Sequence, residues 1–257
     1  MSAVKQKHLL LVFCVLAQLN LFAQTKQNEN RKSPVKAETN QTPQAISDSF
    51  KRGIVGVTFF KKDENGENVS VGSGTGFVVA KNRVLTCYHV PAEKRGDDYF
   101  LENYESIEVV VFDTKHSFFG KIVAFDKEKD LLLVEVASSQ KTPFNKKILL
   151  PSKKNPSEDP KMTFFVFAFG SIQISFRLGE FKGYINDEKL TGHKKEMGMI
   201  QKAVTPGFSG GPVLDENGEW LGVVRASWDY KGGLTLFVPQ NQVLEFLDEA
   251  SKNLPQR

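Results

Sequence analysis

Cysteine is nearly absent: the 257 residues include two, Cys14 and Cys87. Cys14 lies in an apolar stretch that reads as a removable leader, so the processed chain keeps Cys87 alone. An intramolecular disulfide is thereby excluded, and stability must come from a packed core, for which the chain is long enough. Net charge is small too. The formal +4 includes Lys5 and Lys7 of the leader, and the remainder carries 32 basic against 30 acidic side chains. No charge argument for a nucleic-acid partner survives. Long apolar runs are also missing. Residues 1–23 have a charged start, an apolar run from Leu9 to Leu16, and Leu21-Phe22-Ala23 ahead of a cut, the pattern of a secretory signal peptide. That run is short and is followed by Gln18 and Asn20, so no stable membrane anchor is expected. Histidine is scarce, and no group of His, Cys or carboxylate residues has metal-ligand spacing, so no metal and no cofactor are expected.

From residue 24 to about 48 the chain is rich in Asn, Gln, Lys, Thr and Pro and nearly free of large apolar residues. Such a segment buries too little surface to offset its ordering entropy and is predicted to be a disordered linker. From Ile54 onward short apolar runs alternate with turn residues. Ile54–Phe60 reads as a strand, Asp63-Glu64-Asn65-Gly66 as a hairpin turn, and Val69–Val71 as the returning strand. Gly72-Ser73-Gly74-Thr75-Gly76 has the glycines of a phosphate loop. It leads into strand, turn and strand rather than a helix, which argues against a nucleotide. One helical turn is expected over 87–94, with further strands near 107–113, 118–125 and 131–136. A crossover rich in Lys, Pro, Ser and Asn occupies 138–160. A second group of strands follows near 162–169, 172–178, 181–185, 197–204, 211–214, 220–227 and 234–238. After Pro239, Val243, Leu247, Ala250 and Leu254 share one side of a helical wheel, with Asn241 placed as the N-cap.

Three stretches carry chemistry. Pro206-Gly207-Phe208-Ser209-Gly210-Gly211-Pro212 holds a serine between glycines, which lets backbone N–H groups converge beside its hydroxyl. Val84-Leu85-Thr86-Cys87-Tyr88-His89-Val90 sets a histidine after an apolar strand. Asp126-Lys127-Glu128-Lys129-Asp130 leads into Leu131-Leu132-Leu133-Val134. A weak serine nucleophile needs a base, imidazole titrates at about 6.5, and a carboxylate can fix its tautomer. His116 and His193 sit in polar surroundings and read as exposed.

In this order His, Asp and Ser resemble the trypsin-like (chymotrypsin-fold) serine proteases, and within them the bacterial Do/HtrA-type protease domain without a PDZ domain. The resemblance covers roughly Ile54 to Gln240. It implies an all-β fold of two six-stranded antiparallel barrels, at about 49–140 and 160–240, with a short C-terminal helix at 241–254. It implies an exported (periplasmic or secreted) serine endopeptidase acting on polypeptides. Ser209 would be the nucleophile, His89 the general base and then acid, and Asp130 the orienting carboxylate, preferred over Asp126 because it directly precedes the apolar strand. The N–H groups of Gly207 and Ser209 would form the oxyanion hole. Ala203, six residues before the serine, would lie at the base of the specificity pocket and favour small or medium apolar residues. Cys87 reads as a small buried side chain rather than a nucleophile. Phe208 departs from the Do/HtrA pattern, where Asn is common, and puts approach to the serine in question. Arg52-Gly53-Ile54-Val55-Gly56 looks like a zymogen cleavage site, but Phe208 offers no carboxylate to pair a new ammonium. Ile54 is therefore predicted to be plain first-strand sequence. Two alternatives remain open: a catalytically silent protease-like binding or chaperone module, and an esterase on the same fold.

Overall fold

The computed structural model describes residues 53–96, 98–101, 104–111, 117–137, 148–156, 163–169, 174–192, 194–228 and 233–253. The expected leader and linker, and both His116 and His193, lie outside the described residues.

The chain starts its first sheet with β1 (Ile54–Lys62) folded back on β2 (Asn68–Ala80), joined by the expected Asn-Gly turn with Gly66 at φ 76°. Asp63 closes that turn by accepting the N–H groups of Asn65 and Glu67, each at 2.9 Å. Next come β3 (Arg83–Thr86), a hairpin of β4 (Ala92–Arg95) and β5 (Asp98–Leu101), then β6 (Ser106–Val111), β7 (Ser117–Asp126) and β8 (Leu131–Val136). Six of these pair antiparallel in the closed order β1-β2-β3-β8-β7-β6, with Val55 opposite Val111 at the seam. The two-residue period of a strand sends Ile107, Val109 and Val111 to the interior and their neighbours outward. Phe59, Phe77, Leu85 and Leu131 fill the centre. Ile54 is fully buried and pairs with Phe77, an ordinary first-strand residue.

The second sheet contains β9 (Thr163–Phe169), β10 (Ile174–Ile185), β11 (Met197–Gln201), β12 (Pro212–Leu214), β13 (Trp220–Trp228) and β14 (Leu234–Pro239). Its backbone pairing runs β10-β11-β14-β13-β12-β9 and returns from β9 to β10. Phe181, Ile200, Val204, Phe208, Val213, Leu221, Val224 and Phe237 form one buried cluster within it. A single-turn helix, α1 (Glu188–Thr191), links β10 to β11, and α2 (Gln240–Asn253) ends the described chain.

Helix α2 buries Gln242, Val243, Phe246 and Ala250 against β13 and β14, and it also reaches β7 of the first sheet. That second contact is fastened by Lys129, whose side chain is 8% exposed. Its ammonium lies 3.0 Å from Asp126, 3.4 Å from Glu245 and 3.6 Å from Glu249.

Three local expectations are corrected, and one element is new. Residues 88–91 form turns, bonded from Val90 N–H to the Cys87 carbonyl and from Ala92 N–H to the His89 carbonyl. The chain then enters β4 rather than a helical turn over 87–94. Pro91 interrupts the bonding, and Gly96 at φ 65° supplies the hairpin reversal. The two strands expected at 172–178 and 181–185 are one, because pairing with β9 continues through Gly179 and Glu180 and pairing with β11 takes over at Glu180, with a bulge between Phe181 and Gly183, where Gly183 has φ 104°. Asn241 is not the N-cap, since α2 already begins at Gln240, whose amide donates to the carbonyls of Ser152 and Trp220. Helix α1 was not foreseen at all.

Candidate active site

His89 and Asp130 are brought together by the two ends of adjacent strands. His89 sits in the turn that leaves β3, and Asp130 is the last residue before β8, which pairs with β3. The contact is double. His89 Nδ1 lies 2.7 Å from Asp130 Oδ2, and the His89 backbone N–H donates to Oδ1 at 2.9 Å. The Asp130 carbonyl meanwhile accepts the Tyr88 N–H at 3.2 Å. Holding this geometry places Asp130 in the left-handed region, φ 56°, which costs about 1–2 kcal/mol for a residue other than glycine. Burial pushes its carboxyl up, but His89, through charge and hydrogen bonds, and the Arg225 charge outweigh that and hold it below the ordinary carboxylate range. Asp126, the rejected candidate, accepts the Lys129 N–H at 2.8 Å and pairs with its ammonium, closing the turn instead.

Ser209 arrives from the other sheet, on the loop before β12. Gly207 has φ 99° and Gly210 φ 84°, so both need the left-handed freedom of glycine. A Cβ on Gly210 would overlap the Thr75 carbonyl and the Thr86 hydroxyl, so nothing larger fits. The loop is fastened by Gly210 N–H to the Val224 carbonyl (2.8 Å), Gly211 N–H to Phe208 (2.9 Å) and Thr75 N–H to Ser209 (2.9 Å). Among the described residues, the N–H groups of Gly207 and Ser209 donate to no backbone carbonyl. The Ser209 hydroxyl itself donates to the Arg225 carbonyl at 3.1 Å. Phe208 does not narrow the approach to the serine: it is 2% exposed, turned into the apolar cluster of the second sheet. That burial contributes about 2–3 kcal/mol to holding the loop.

Ala203 is exposed and faces Gly233, where an added Cβ would come within 2.6 Å of the Ala203 Cβ. Cys87 is fully buried and donates its thiol to the Val224 carbonyl, while burial and the Asp130 charge push the thiol pKa up and keep it protonated. The donor atoms of Cys87, His89 and Asp130 lie within 4.8 Å of one another. Folding, not sequence spacing, assembles them. Their chemistry is that of a linked pair beside a protonated thiol, since Nδ1 and Oδ2 are engaged with each other.

Sequence reasoning missed three residues here. Thr75 ties the serine loop to the first sheet. Tyr99, on the unforeseen hairpin, packs its ring 5.9 Å from that of His89. Arg225 places its Nε 3.1 Å from Asp130 Oδ2. An arginine inside an apolar strand was the available signal for the last.

Two antiparallel sheets sharing a serine loop and a His–Asp pair define a protein of the trypsin-like peptidase class. The fold is that of the Rv3671c protease of M. tuberculosis. An inactive form of that protein, a serine-to-alanine mutant, superposes with a TM-score of 0.64 over 87% of this chain and 99% of its own, at 17% identity. Its active form gives 0.62 over 86% and 92%, at 18% identity. A family model for the trypsin-like peptidase domain matches residues 74–223, and the chain belongs to that family. Protease Do-like 5, chloroplastic, of Arabidopsis thaliana is 28% identical over 193 residues, 71% of this chain and 57% of the relative. A probable periplasmic serine endoprotease, DegP-like, of Chlamydia trachomatis is 24% identical over 192 residues, 73% of this chain and 35% of the relative. The chain thus spans little more than half, or less, of the curated relatives it matches.

Proposed function

We propose that this protein is an exported serine endopeptidase that hydrolyses polypeptides through an acyl-enzyme. The observation that carries the reading is the doubly bonded His89–Asp130 pair, which Arg225 links to the glycine-framed serine: its Nε lies beside Asp130 Oδ2 and its carbonyl accepts the Ser209 hydroxyl. In this reading Asp130 fixes the imidazole with Nδ1 protonated and leaves Nε2 to take the Ser209 proton as the hydroxyl attacks the scissile carbonyl. The N–H groups of Gly207 and Ser209 receive the oxyanion. His89 then returns the proton to the leaving amine, and water repeats the sequence to release the acid. The two rings of strands are read as the double barrel of chymotrypsin-like enzymes, and residues 1–23 as the export signal. No helix among the described residues is long and apolar enough to cross a membrane. Ala203 offers no charge to a bound side chain, which supports cleavage after small or medium apolar residues.

A second reading, a silent binding module, is favoured by one observation: the Ser209 hydroxyl points to the Arg225 carbonyl. A fluorophosphonate probe separates the two. Labelling of the wild-type protein that disappears in Ser209→Ala, with digestion of a peptide library, is the expected result. An unlabelled wild type would support the silent module, and turnover of short esters without peptide cleavage would make it an esterase.

A further inference from the structure

Arg225 occupies an irregular position in an otherwise paired strand. Val224 stands opposite Phe237 and Ala226 opposite Leu236, so Arg225 is the extra residue of a β-bulge between β13 and β14. Bulges re-aim side chains and release backbone groups from the ladder. Both effects are visible. The released Arg225 carbonyl receives the Ser209 hydroxyl at 3.1 Å, while the side chain, 13% exposed, turns to Asp130. Its Nε lies 3.1 Å from Asp130 Oδ2 without the alignment of a hydrogen bond, so the contact is an ion pair, and its Nη1 donates to the Thr191 carbonyl at 3.4 Å. One residue therefore touches two members of the proposed triad.

We propose that Arg225 is a positioning residue of this site: it holds the Asp130 carboxylate in place, divides that charge between itself and His89, and so sets the pH range in which the site works. This rests on the hydrolase reading above. Oδ2 is shared by His89 Nδ1 at 2.7 Å and Arg225 Nε at 3.1 Å. When His89 takes the serine proton, the single carboxylate must serve two cations in a largely dry site. Arginine cannot shed its charge, so the opposition is present at every working pH. It disfavours the imidazolium and keeps the base available in more acidic solution. The charged and titratable groups around Asp130 are few. His89 and the buried Cys87 thiol come from the turn after β3, and Arg225 from β13. Lys129 is next in sequence but spends its ammonium on Asp126, Glu245 and Glu249. The lowered pKa of the Asp130 carboxyl, to which the Arg225 charge contributes after His89, agrees with this arrangement.

The test is the second-order rate of fluorophosphonate labelling between mild acid and mild alkali. It compares wild type, Arg225→Met, Arg225→Gln and Arg225→Lys, with Ser209→Ala as the blank and circular dichroism to confirm folding. The acid limb of the Met and Gln variants is expected to move toward alkaline pH by about one unit. Arg225→Lys keeps the charge and should hold the limb near its wild-type position even if the plateau rate falls. Limbs that superimpose for wild type and the neutral variants would overturn the role of Arg225 while leaving the hydrolase reading intact. Equal displacement in the Lys and Met variants would do the same, since shape rather than charge would then matter. A wild type unlabelled at every pH would overturn both.

Discussion

Thr75 donates its side-chain hydroxyl to the Gly207 carbonyl across 2.6 Å, a bond between the first sheet and the loop that carries Ser209. The Thr75 N–H reaches the Ser209 carbonyl from the same strand, and the Thr75 carbonyl takes the Thr86 hydroxyl at 2.7 Å. Losing the hydroxyl strands a carbonyl and costs about 1 kcal/mol or somewhat more. Thr75→Val is therefore expected to slow probe labelling about tenfold by loosening the Gly207 peptide. The melting temperature should fall by only a few degrees. Labelling kinetics beside thermal unfolding would check this, and an unchanged rate would remove Thr75 from the site.

The proposed triad predicts non-multiplying losses. Ser209→Ala and His89→Ala should each reduce kcat on the order of 10⁶-fold, Asp130→Ala somewhat less, and the double variant no more than the worse single one. Turnover above a few per cent of wild type in purified Ser209→Ala would break the assignment.

Asp130 also predicts an acid dependence of stability. Its folded ionisation lies below the unfolded value near 3.8, so its contribution is fully present above that value and is lost as pH falls through the folded one. Below about 4 the stability difference between wild type and Asp130→Asn should narrow as the carboxylate is protonated. Denaturant titrations at several pH values would show it. A gap independent of pH down to 2 would mean the carboxylate gains nothing from its partners.

Lys129 gives the alkaline counterpart. Asp126, Glu245 and Glu249 together outweigh its burial and raise the ammonium pKa, so its contribution persists below about 10.5 and fades as pH climbs through the higher folded value. Lys129→Met should release the near end of α2 at a cost of about 1–2 kcal/mol, since two of the three carboxylates are half exposed. Faster hydrogen exchange across 240–250 is the expected sign, and unchanged exchange would show that the apolar face holds the helix alone.

Ala203 yields a specificity prediction. A buried guanidinium or ammonium needs a carboxylate partner. The wild-type cleavage profile should be dominated by small and medium apolar residues, and Ala203→Asp should admit Arg and Lys. Cleavage after Arg and Lys by the unmodified protein would place the pocket elsewhere.

What could be read in advance follows from where each signal resides. Strand periodicity at Ile107, Val109 and Val111 is local, as are the Asn-Gly turn and the glycines around Ser209, so these were legible. The resemblance supplied the His–Asp–Ser order and favoured Asp130 over Asp126. The bulge at Arg225 arises from the unequal pairing of two strands, and the hairpin at 92–101 from a turn among charged residues without apolar alternation. Neither leaves a periodic trace. The effect of Phe208 stayed open in the sequence because the direction of a side chain beside Ser209 depends on the twist of the loop, which turns it into the core.

His89 and Asp130 belong to one ring of strands and Ser209 to the other, so the distance between the proposed base and the proposed nucleophile is a gauge of how the two rings are registered. A slip of about 1 Å between them would leave every strand pair intact yet cost on the order of 100-fold in rate. Inactivation should therefore run ahead of unfolding, the proposed chemistry acting as a fuse that opens while the strand pairing is still whole.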